Sequence, residues 1–472
     1  MTPRSGPLAQ VVEHLTFNQR VAGSSPARLT RLHVTILIAT ALLAAAAATP
    51  AATPPRPKPD SLAITDVTVV DVVGGARRRV TVVISGERIV SVGQGIAIPK
   101  SAKRLDGAGR FLIPGLWDMH VHHQATGVES LDLYLAQGVV GTRDMGSDLD
   151  FILPLRDRIR RGELRGPEIV AAGPILDAAP ADWPFRRRVT NAQEAREAVR
   201  DLKSRGVDFI KVHDRTPRDA FFAIADEAAK LGLPFAGHVP AAVTVEEAAE
   251  SGMASIEHLA NNRVFLECSG GQPYSEAGCR PLFDRLAAKK VWQTPTSAFF
   301  LTLPDVFTGQ PLPHEEYASD PLLDLTRRNI AASKLDERAL SFLRSSAAAS
   351  LSAIHDLHAR DNGLLAGCDG LVPGFCLHDE LERLTEAGLS PLESIQTATI
   401  NPAIFLGRAK TQGTVETGKR ADLVLLEADP LADIHNTRRI AAVVVRGRLL
   451  PKEEIARMLA ARRRARPAAP AR

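Results

Sequence analysis

Aromatic side chains are scarce in this chain: Phe, Tyr and Trp together make up 5% of it, with three Trp and three Tyr. That is too few for the interleaved aromatic and basic side chains on which nucleic-acid bases stack. A surplus of one charge is missing as well, because 58 Lys and Arg stand against 54 Asp and Glu, a formal net charge of +4. Arg457, Arg462, Arg463, Arg464, Arg466 and Arg472 crowd the C-terminal end, so the rest of the chain is close to neutral and no nucleic-acid partner is expected. The Ala/Pro/Arg-rich tail over 457–472 has no apolar face and reads as a solvated, disordered end.

The chain also lacks an apolar run of the ~20 residues that a spanning helix needs. Val34–Ala48 has the length of a signal-peptide core. Arg28, Arg31 and His33 precede it, and small residues suited to cleavage follow near Ala48 or Ala52. Export to the periplasm or the exterior is expected, with no stable membrane span. Gly6–Arg28 resembles the conceptual translation of a tRNA gene and is left out of the fold. Thr49–Pro59 reads as a stiff linker, so residues 1–59 carry extension, leader and linker. There are only four cysteines. In an exported chain they permit disulfides, and Cys268 and Cys279 flank a Gly-rich loop whose closure is easy, so that pair is expected to bridge. Cys368 and Cys376 either form a second bridge or, with Cys368 on a buried strand, leave a free and inert thiol.

What is present is an ordinary globular composition, 45% hydrophobic and 24% charged, in a length that suits a large barrel with a small appended domain. Residues 60–112 hold short β-branched runs such as ITDVTVVDVV and RVTVVISGERIVSVG, and residues 407–456 hold a matching set, ADLVLLEADP and RIAAVVVRGRLL. Neither set has enough strands to stand alone, so together they are expected to form one small β-sandwich domain.

Residues 113–406 alternate short apolar runs with amphipathic stretches, which predicts an α/β fold with a parallel sheet closed as a (β/α)8 TIM barrel. The candidate strands are Leu116–His122, Val139–Asp144, Glu168–Ala172, Phe209–His213, Phe235–His238, Ser255–His258, Val291–Pro295 and Leu364–Asp369. Leu301–Asp320, rich in proline and without periodicity, reads as a long loop above the seventh strand.

His120 and His122 lie two apart at the end of the first candidate strand, where the pleat turns both imidazoles to one side. Alone, such a pair is as often structural as metal-binding. Lys211, His238, His258 and Asp369, however, end four further candidate strands, and those ends form the catalytic face of a barrel. Random scatter would place these residue types on helices and loops as often as on that rim.

The motifs PGLWDMHVHH, GVVGTRDMG, DFIKVH, FAGHVP, SIEHL, LLAGCDG and ATINPAIFLG, with GTVETGKRADLVLLEADPL near the end, resemble the amidohydrolase superfamily, in the branch of prolidase-like and imidazolonepropionase-like proteins. The resemblance implies that His120, His122 and Asp369 hold one divalent metal and that His238 and His258 hold the other. It also implies that Lys211 bridges the two as a CO2-derived carbamate, since a free ammonium would be repelled by two cations. Zinc suits a His-rich donor set, although imidazole and carboxylate also suit Mn, Co, Ni or Fe. The implied reaction is hydrolysis of a C–N amide bond in a small-molecule substrate. A metal-bridging hydroxide would attack, with Asp369 as proton shuttle.

Arg143, just past the second strand, either clamps a substrate carboxylate or pairs with a protein carboxylate. His213 lies two beyond Lys211 and is expected to contact substrate or donate to a tetrahedral oxyanion. His378 either lines the pocket or caps a helix, and His355 and His358 are expected to face solvent on a helix. Prolidase-like relatives follow the bridging lysine with a small Gly-rich loop, whereas DRTPRDAF stands here, which puts peptidase specificity in doubt. The leading reading is an exported amidohydrolase acting on dipeptides or N-acyl amino acids. A cyclic amide or lactone hydrolase is the alternative within the fold, and a non-catalytic solute-binding protein the alternative outside catalysis. A homo-oligomer is compatible with each.

Overall fold

The computed structural model describes residues 61–178, 185–259, 263–269, 274–333 and 335–464. The leader, extension and linker read over 1–59 lie outside these residues, as does the tail from 465. The chain opens with β1 (Ser61–Val70), β2 (Arg77–Ser85), β3 (Arg88–Gly93), β4 (Lys103–Asp106) and β5 (Phe111–Pro114). A central region follows with β6 (Leu116–Val121), β7 (Val139–Asp144), β8 (Glu168–Ala171), β9 (Ile175–Asp177), β10 (Arg186–Arg188), β11 (Ile210–Val212), β12 (Phe235–Gly237), β13 (Ser255–Glu257) and β14 (Trp292–Thr294). The last strands are β15 (Leu423–Leu426), β16 (Ile440–Val445) and β17 (Arg448–Pro451).

The two ends of the chain do form one sheet domain, in the order β17-β16-β15-β5-β1-β2-β3, with β4 paired to β1. The sandwich expected from the sequence is here a single hydrogen-bonded sheet. The reason is β5, which pairs parallel with β1 and antiparallel with β15 and so joins the two sets edge to edge. In β1 the apolar phase changes between Ile64 and Val67, and a register shift with Asp66 at φ 57° keeps both halves facing inward. Leu62, Ile64, Val67 and Val69 thereby share a core with Leu423, Leu425 and Val444 from the other end of the chain. The helix Lys452–Arg462 buries Ile455 and Met458 beside Leu135, so the tail read as uncored from 457 is ordered and packed through 462.

The central strands are parallel and fall into two hydrogen-bonded sets, β6-β7-β8 and β10-β9-β11-β12-β13-β14. Seven of the eight candidate strands are found, several one or two residues shorter than read. The eighth, Leu364–Asp369, makes a single bridge to Gln293 rather than a ladder. Its amides diverge in direction: Leu365 N donates to Gln293 O, Ala366 N to Thr397 O and Asp369 N to His120 O at 2.7 Å. β9 and β10 were not expected, since three residues each, one of them an all-arginine run, show no apolar alternation.

Helices cover the strands through buried stripes at helical spacing. Ala192–Arg205 buries Ala195, Ala198, Val199 and Leu202; Asn191 accepts from Glu194 N at its start, and Gly206 at φ 87° ends it. The loop expected over Leu301–Asp320 is a correction: helix Ser297–Phe307 occupies its first part, a short 3-10 turn Glu315–Tyr317 follows, and helix Asp320–Ser333 begins at its end. Pro304 argues against that first helix by ~3 kcal/mol. Burial of Phe299, Phe300, Leu303 and Val306, at ~1.5–3 kcal/mol for each large apolar side chain, outweighs it. Both cysteine pairs are bonded, Cys268–Cys279 and Cys368–Cys376, which resolves the second pair in favour of a bridge. No described helix is long and apolar enough to cross a membrane.

Candidate metal centre

The strands bring the six expected ligands together. His120, His122, Lys211, His238, His258 and Asp369 line one cavity with Ile175, Arg186 and His213. Two of them sit in backbone conformations that cost a non-glycine residue ~1–3 kcal/mol, His258 at φ 65° and Asp369 at φ 59°. His258 directly follows β13, and Asp369 closes the segment that starts at Leu364. Gly237 makes room for the lysine: a Cβ there would lie 2.9 Å from Lys211 Cδ and 2.2 Å from Val212 O, and its φ is +135°.

Each of the four histidines spends its Nδ1 on the protein. His120 Nδ1 meets Glu257 Oε2 at 2.9 Å, His122 Nδ1 meets Gly146 O at 3.0 Å, His238 Nδ1 meets Asp214 Oδ1 at 2.9 Å and His258 Nδ1 meets Thr296 Oγ1 at 2.8 Å. A ligating imidazole is oriented in this way, with its other nitrogen directed at the metal. On the cavity side, His120 Nε2 and Asp369 Oδ2 are buried without a hydrogen-bond partner. Leaving a buried polar atom unmet costs ~1–3 kcal/mol, and a bound cation would satisfy both. His122 Nε2 lies 3.5 Å and His120 Nε2 3.8 Å from Asp369 Oδ1. The donor set therefore fits a divalent cation.

The donor atoms of His120, His122 and Asp369 lie within 4.8 Å of one another, and so do those of His213, Asp214 and His238. The second grouping differs from the expected His238, His258 and Lys211. Because His238 meets Asp214 through Nδ1, the aspartate is better read as the group that orients His238 than as a ligand. His258 lies between the two groupings, its ring 4.4 Å from that of His120 and 4.7 Å from that of His238.

Burial holds His120 and His258 well below the ordinary imidazole range and His122 down to about 3, with Lys211 and neighbouring histidines adding to the shift. Neutral imidazole is the form that binds a metal. Burial also lowers the Lys211 ammonium, against the pull of Glu257 and Asp369, and raises the Asp369 carboxyl, against the pull of Lys211. A lysine driven toward its neutral amine is the species that can add CO2.

Arg143 is not at the rim. It is buried, and its guanidinium donates to Met119 O at 2.7 Å, Ser255 Oγ at 2.8 Å, Thr294 Oγ1 at 3.1 Å and Glu257 at 2.9 Å. Every nitrogen is engaged, so the substrate clamp gives way to the structural alternative. Arg186 instead brings a guanidinium to the cavity, with Nη1 on Asp177 Oδ2 at 2.6 Å. His213 is in the cavity as expected, stacked on His238 with ring centroids 3.9 Å apart and Nδ1 3.6 Å from Asp177 Oδ2. His378 is elsewhere, buried between Thr437 Oγ1 and Gln137 O at 3.0 Å each. His355 is exposed, while His358 is partly buried against Glu393.

Sequence reasoning passed over Glu257, Asp214, Asp177 and Arg186. Glu257 was legible in part: a carboxylate directly before a ligand on an apolar strand is exceptional. Arg186 had no signal, being one arginine of three in a segment with no strand pattern.

Residues 111–450 match the Amidohydrolase family, and the chain belongs to that family. A solved structure from Bifidobacterium longum, described as a candidate prolidase, is similar with TM-score 0.68 and 25% identity, covering 86% of this chain and 100% of its own. An imidazolonepropionase of Rubrobacter xylanophilus is 26% identical over 79% of this chain and 91% of its own length. An N-acyl-D-glutamate deacylase of Alcaligenes xylosoxydans xylosoxydans is 41% identical over 80 residues, 16% of either protein. This chain thus spans under a fifth of that relative. Family and clustered donors together define a metal-dependent hydrolase.

Proposed function

We propose that the protein hydrolyses an amide bond in a dipeptide or N-acyl amino acid with a free carboxylate, at a centre of two divalent metals. The observation that carries the reading is the orientation of four imidazoles by their Nδ1 contacts around the buried, unpartnered His120 Nε2 and Asp369 Oδ2. His120, His122 and Asp369 would hold one ion, His238 and His258 the other, with Lys211 as a carbamate between them and zinc the metal best suited. Bound there, the ions supply acidification of water and polarisation of the scissile carbonyl.

Asp369 takes the proton of the attacking water and returns it to the leaving nitrogen. The water oxygen joins the carbonyl carbon, the C–N bond breaks, and an acid and an amine result. His213 contacts the substrate from the wall beside His238, and Arg186 is placed to receive its carboxylate. The two parallel sets are read as one closed eight-stranded barrel, supported by Asp208 N donating to Ala171 O, Met119 N to Ala366 O and Leu365 N to Gln293 O. Export through the leader belongs to the same proposal.

The match to an imidazolonepropionase over 79% of the chain favours a second reading, hydrolysis of a cyclic amide. The test is elemental analysis and intact mass of the mature protein, followed by a screen of linear and cyclic amides. About two transition metals per chain, one carbamate increment lost in Lys211→Ala, and turnover of linear substrates are the expected result. Turnover of cyclic amides alone selects the second reading, and a chain that binds no metal on reconstitution removes both.

A further inference from the structure

A second cavity adjoins the metal centre, and Arg186 is not part of its lining. It leaves about 50 Å³ of room for the centres of water-sized guests, and His122 and Asp369 belong to its lining as well as to that of the metal cavity. Its walls come from the two helices that replace the expected loop: Phe299, Leu303 and Val306 from Ser297–Phe307, and Leu322 and Leu325 from Asp320–Ser333. Gly370 belongs to the lining, and a Cβ there would lie 3.2 Å from Phe299 Cε2, so the residue after Asp369 leaves the ring in place beside the ligands.

The chamber offers almost nothing to a polar guest. Among the described residues, Asp369 is its one charged lining group. Its two threonines are engaged within the protein, Thr326 Oγ1 donating to Leu322 O at 2.9 Å and Thr126 Oγ1 lying 3.1 Å from Ser130 Oγ. A polar group placed here would lose water without gaining a partner, whereas an apolar one gains by leaving water. The metal cavity itself adds the polar side chains of Arg186 and His213, which the chamber lacks.

We infer that this hydrolase selects amides whose acyl group is large and apolar, the acyl chain filling the chamber while the carboxylate-bearing amine half lies toward Arg186. The assignment rests on the reading of the centre as an amide hydrolase and adds the substrate class: long-chain or aryl N-acyl amino acids, in preference to N-acetyl amino acids or dipeptides with small first residues. The chamber and the reacting centre share two side chains, so an acyl carbonyl at the ligands has its chain directed between the two helices.

Two measurements on the metal-loaded protein separate this inference from the reading beneath it. The first follows kcat/KM across one amino acid bearing acetyl, butanoyl, hexanoyl and octanoyl groups. A rise of about two- to fourfold per methylene is expected, as for methylenes buried one by one. The second needs no turnover: binding of acetate and octanoate by calorimetry, with octanoate expected at least tenfold tighter. Leu325→Trp, which fills the chamber, should abolish the octanoyl and octanoate preference; Val306→Phe is the milder variant should the first fail to fold. Equal kcat/KM across the series with equal binding of the two acids overturns the chamber assignment while amide hydrolysis stands. No turnover of any amide, with octanoate still preferred and the preference lost in Leu325→Trp, overturns the hydrolase reading and keeps the chamber.

Discussion

Arg143 on β7 and Glu257 on β13 form a buried ion pair at 2.9 Å across the central sheets, and the same carboxylate holds His120 Nδ1 at 2.9 Å. The pair links the packed interior to the metal centre: the guanidinium fixes the carboxylate, and the carboxylate fixes the imidazole. Neighbouring Ser255 adds a donor, its Oγ lying 2.6 Å from Glu257 Oε1.

Arg143→Ala should therefore act on folding and on the metal, not on substrate charge. Removing one partner of a buried pair leaves an uncompensated charge and costs ~3–5 kcal/mol. Thermal unfolding should fall accordingly, and any residual activity should drop by the same factor for carboxylate-bearing and neutral amides. A loss confined to carboxylate-bearing substrates would restore the clamp.

Asp214 offers a cleaner view of ligand orientation, because it is only partly buried and its principal role is on His238 Nδ1. Asp214→Ala should weaken metal binding ~10–100-fold, the usual effect of removing the acceptor behind a ligating histidine. Competition with a chromogenic chelator measures this directly. Unchanged affinity would mean that packing against His213 alone positions the ring.

Much of this architecture was legible because strand-end chemistry and apolar periodicity coincide. Leu116–Val121, Val139–Asp144 and Ile210–Val212 announce themselves as apolar runs, and His120, His122, Lys211 and Asp369 stand at or just past such runs. What was not legible depends on tertiary burial. Pro304 argues locally against the helix that Phe299 and Leu303 stabilise from its buried face, and the Leu364–Asp369 segment has a strand's composition but sends Ala366 N to Thr397 O. Arg143 shows the same limit from the other side: residue type permitted a clamp, and only the partner Glu257, 114 residues away, decides otherwise.

The two disulfides should separate in their effects. By chain entropy alone, loops of 11 and 8 residues are worth about 2–3 kcal/mol each. Cys268→Ala with Cys279→Ala should lower the unfolding temperature and leave metal content intact. Cys368→Ala with Cys376→Ala should lower it similarly and also reduce metal content, since Cys368 precedes Asp369 and its amide donates to Asp118 Oδ1 at 3.1 Å. Equal metal content in both double variants would show that the backbone holds Asp369 without the bridge.

Glu380 gives a pH dependence whose sign can be stated. Its carboxyl is buried, accepts Ala298 N at 2.7 Å at the start of helix Ser297–Phe307, and burial raises it from 4.5 to about 7, against the opposing backbone donors. Between those two values the folded state keeps a proton that the unfolded state has released, so stability falls as pH rises through the window and levels off above it. Below the unfolded value both states are protonated and the term vanishes. Glu380→Gln keeps an acceptor for Ala298 N and removes the titration, so the variant should gain on the native protein between about pH 5 and pH 8, by about 3 kcal/mol at most. Denaturant unfolding of both proteins at the two pH values checks it. Parallel curves would mean that the native carboxyl is already ionised, stabilised by the helix start strongly enough to offset its burial.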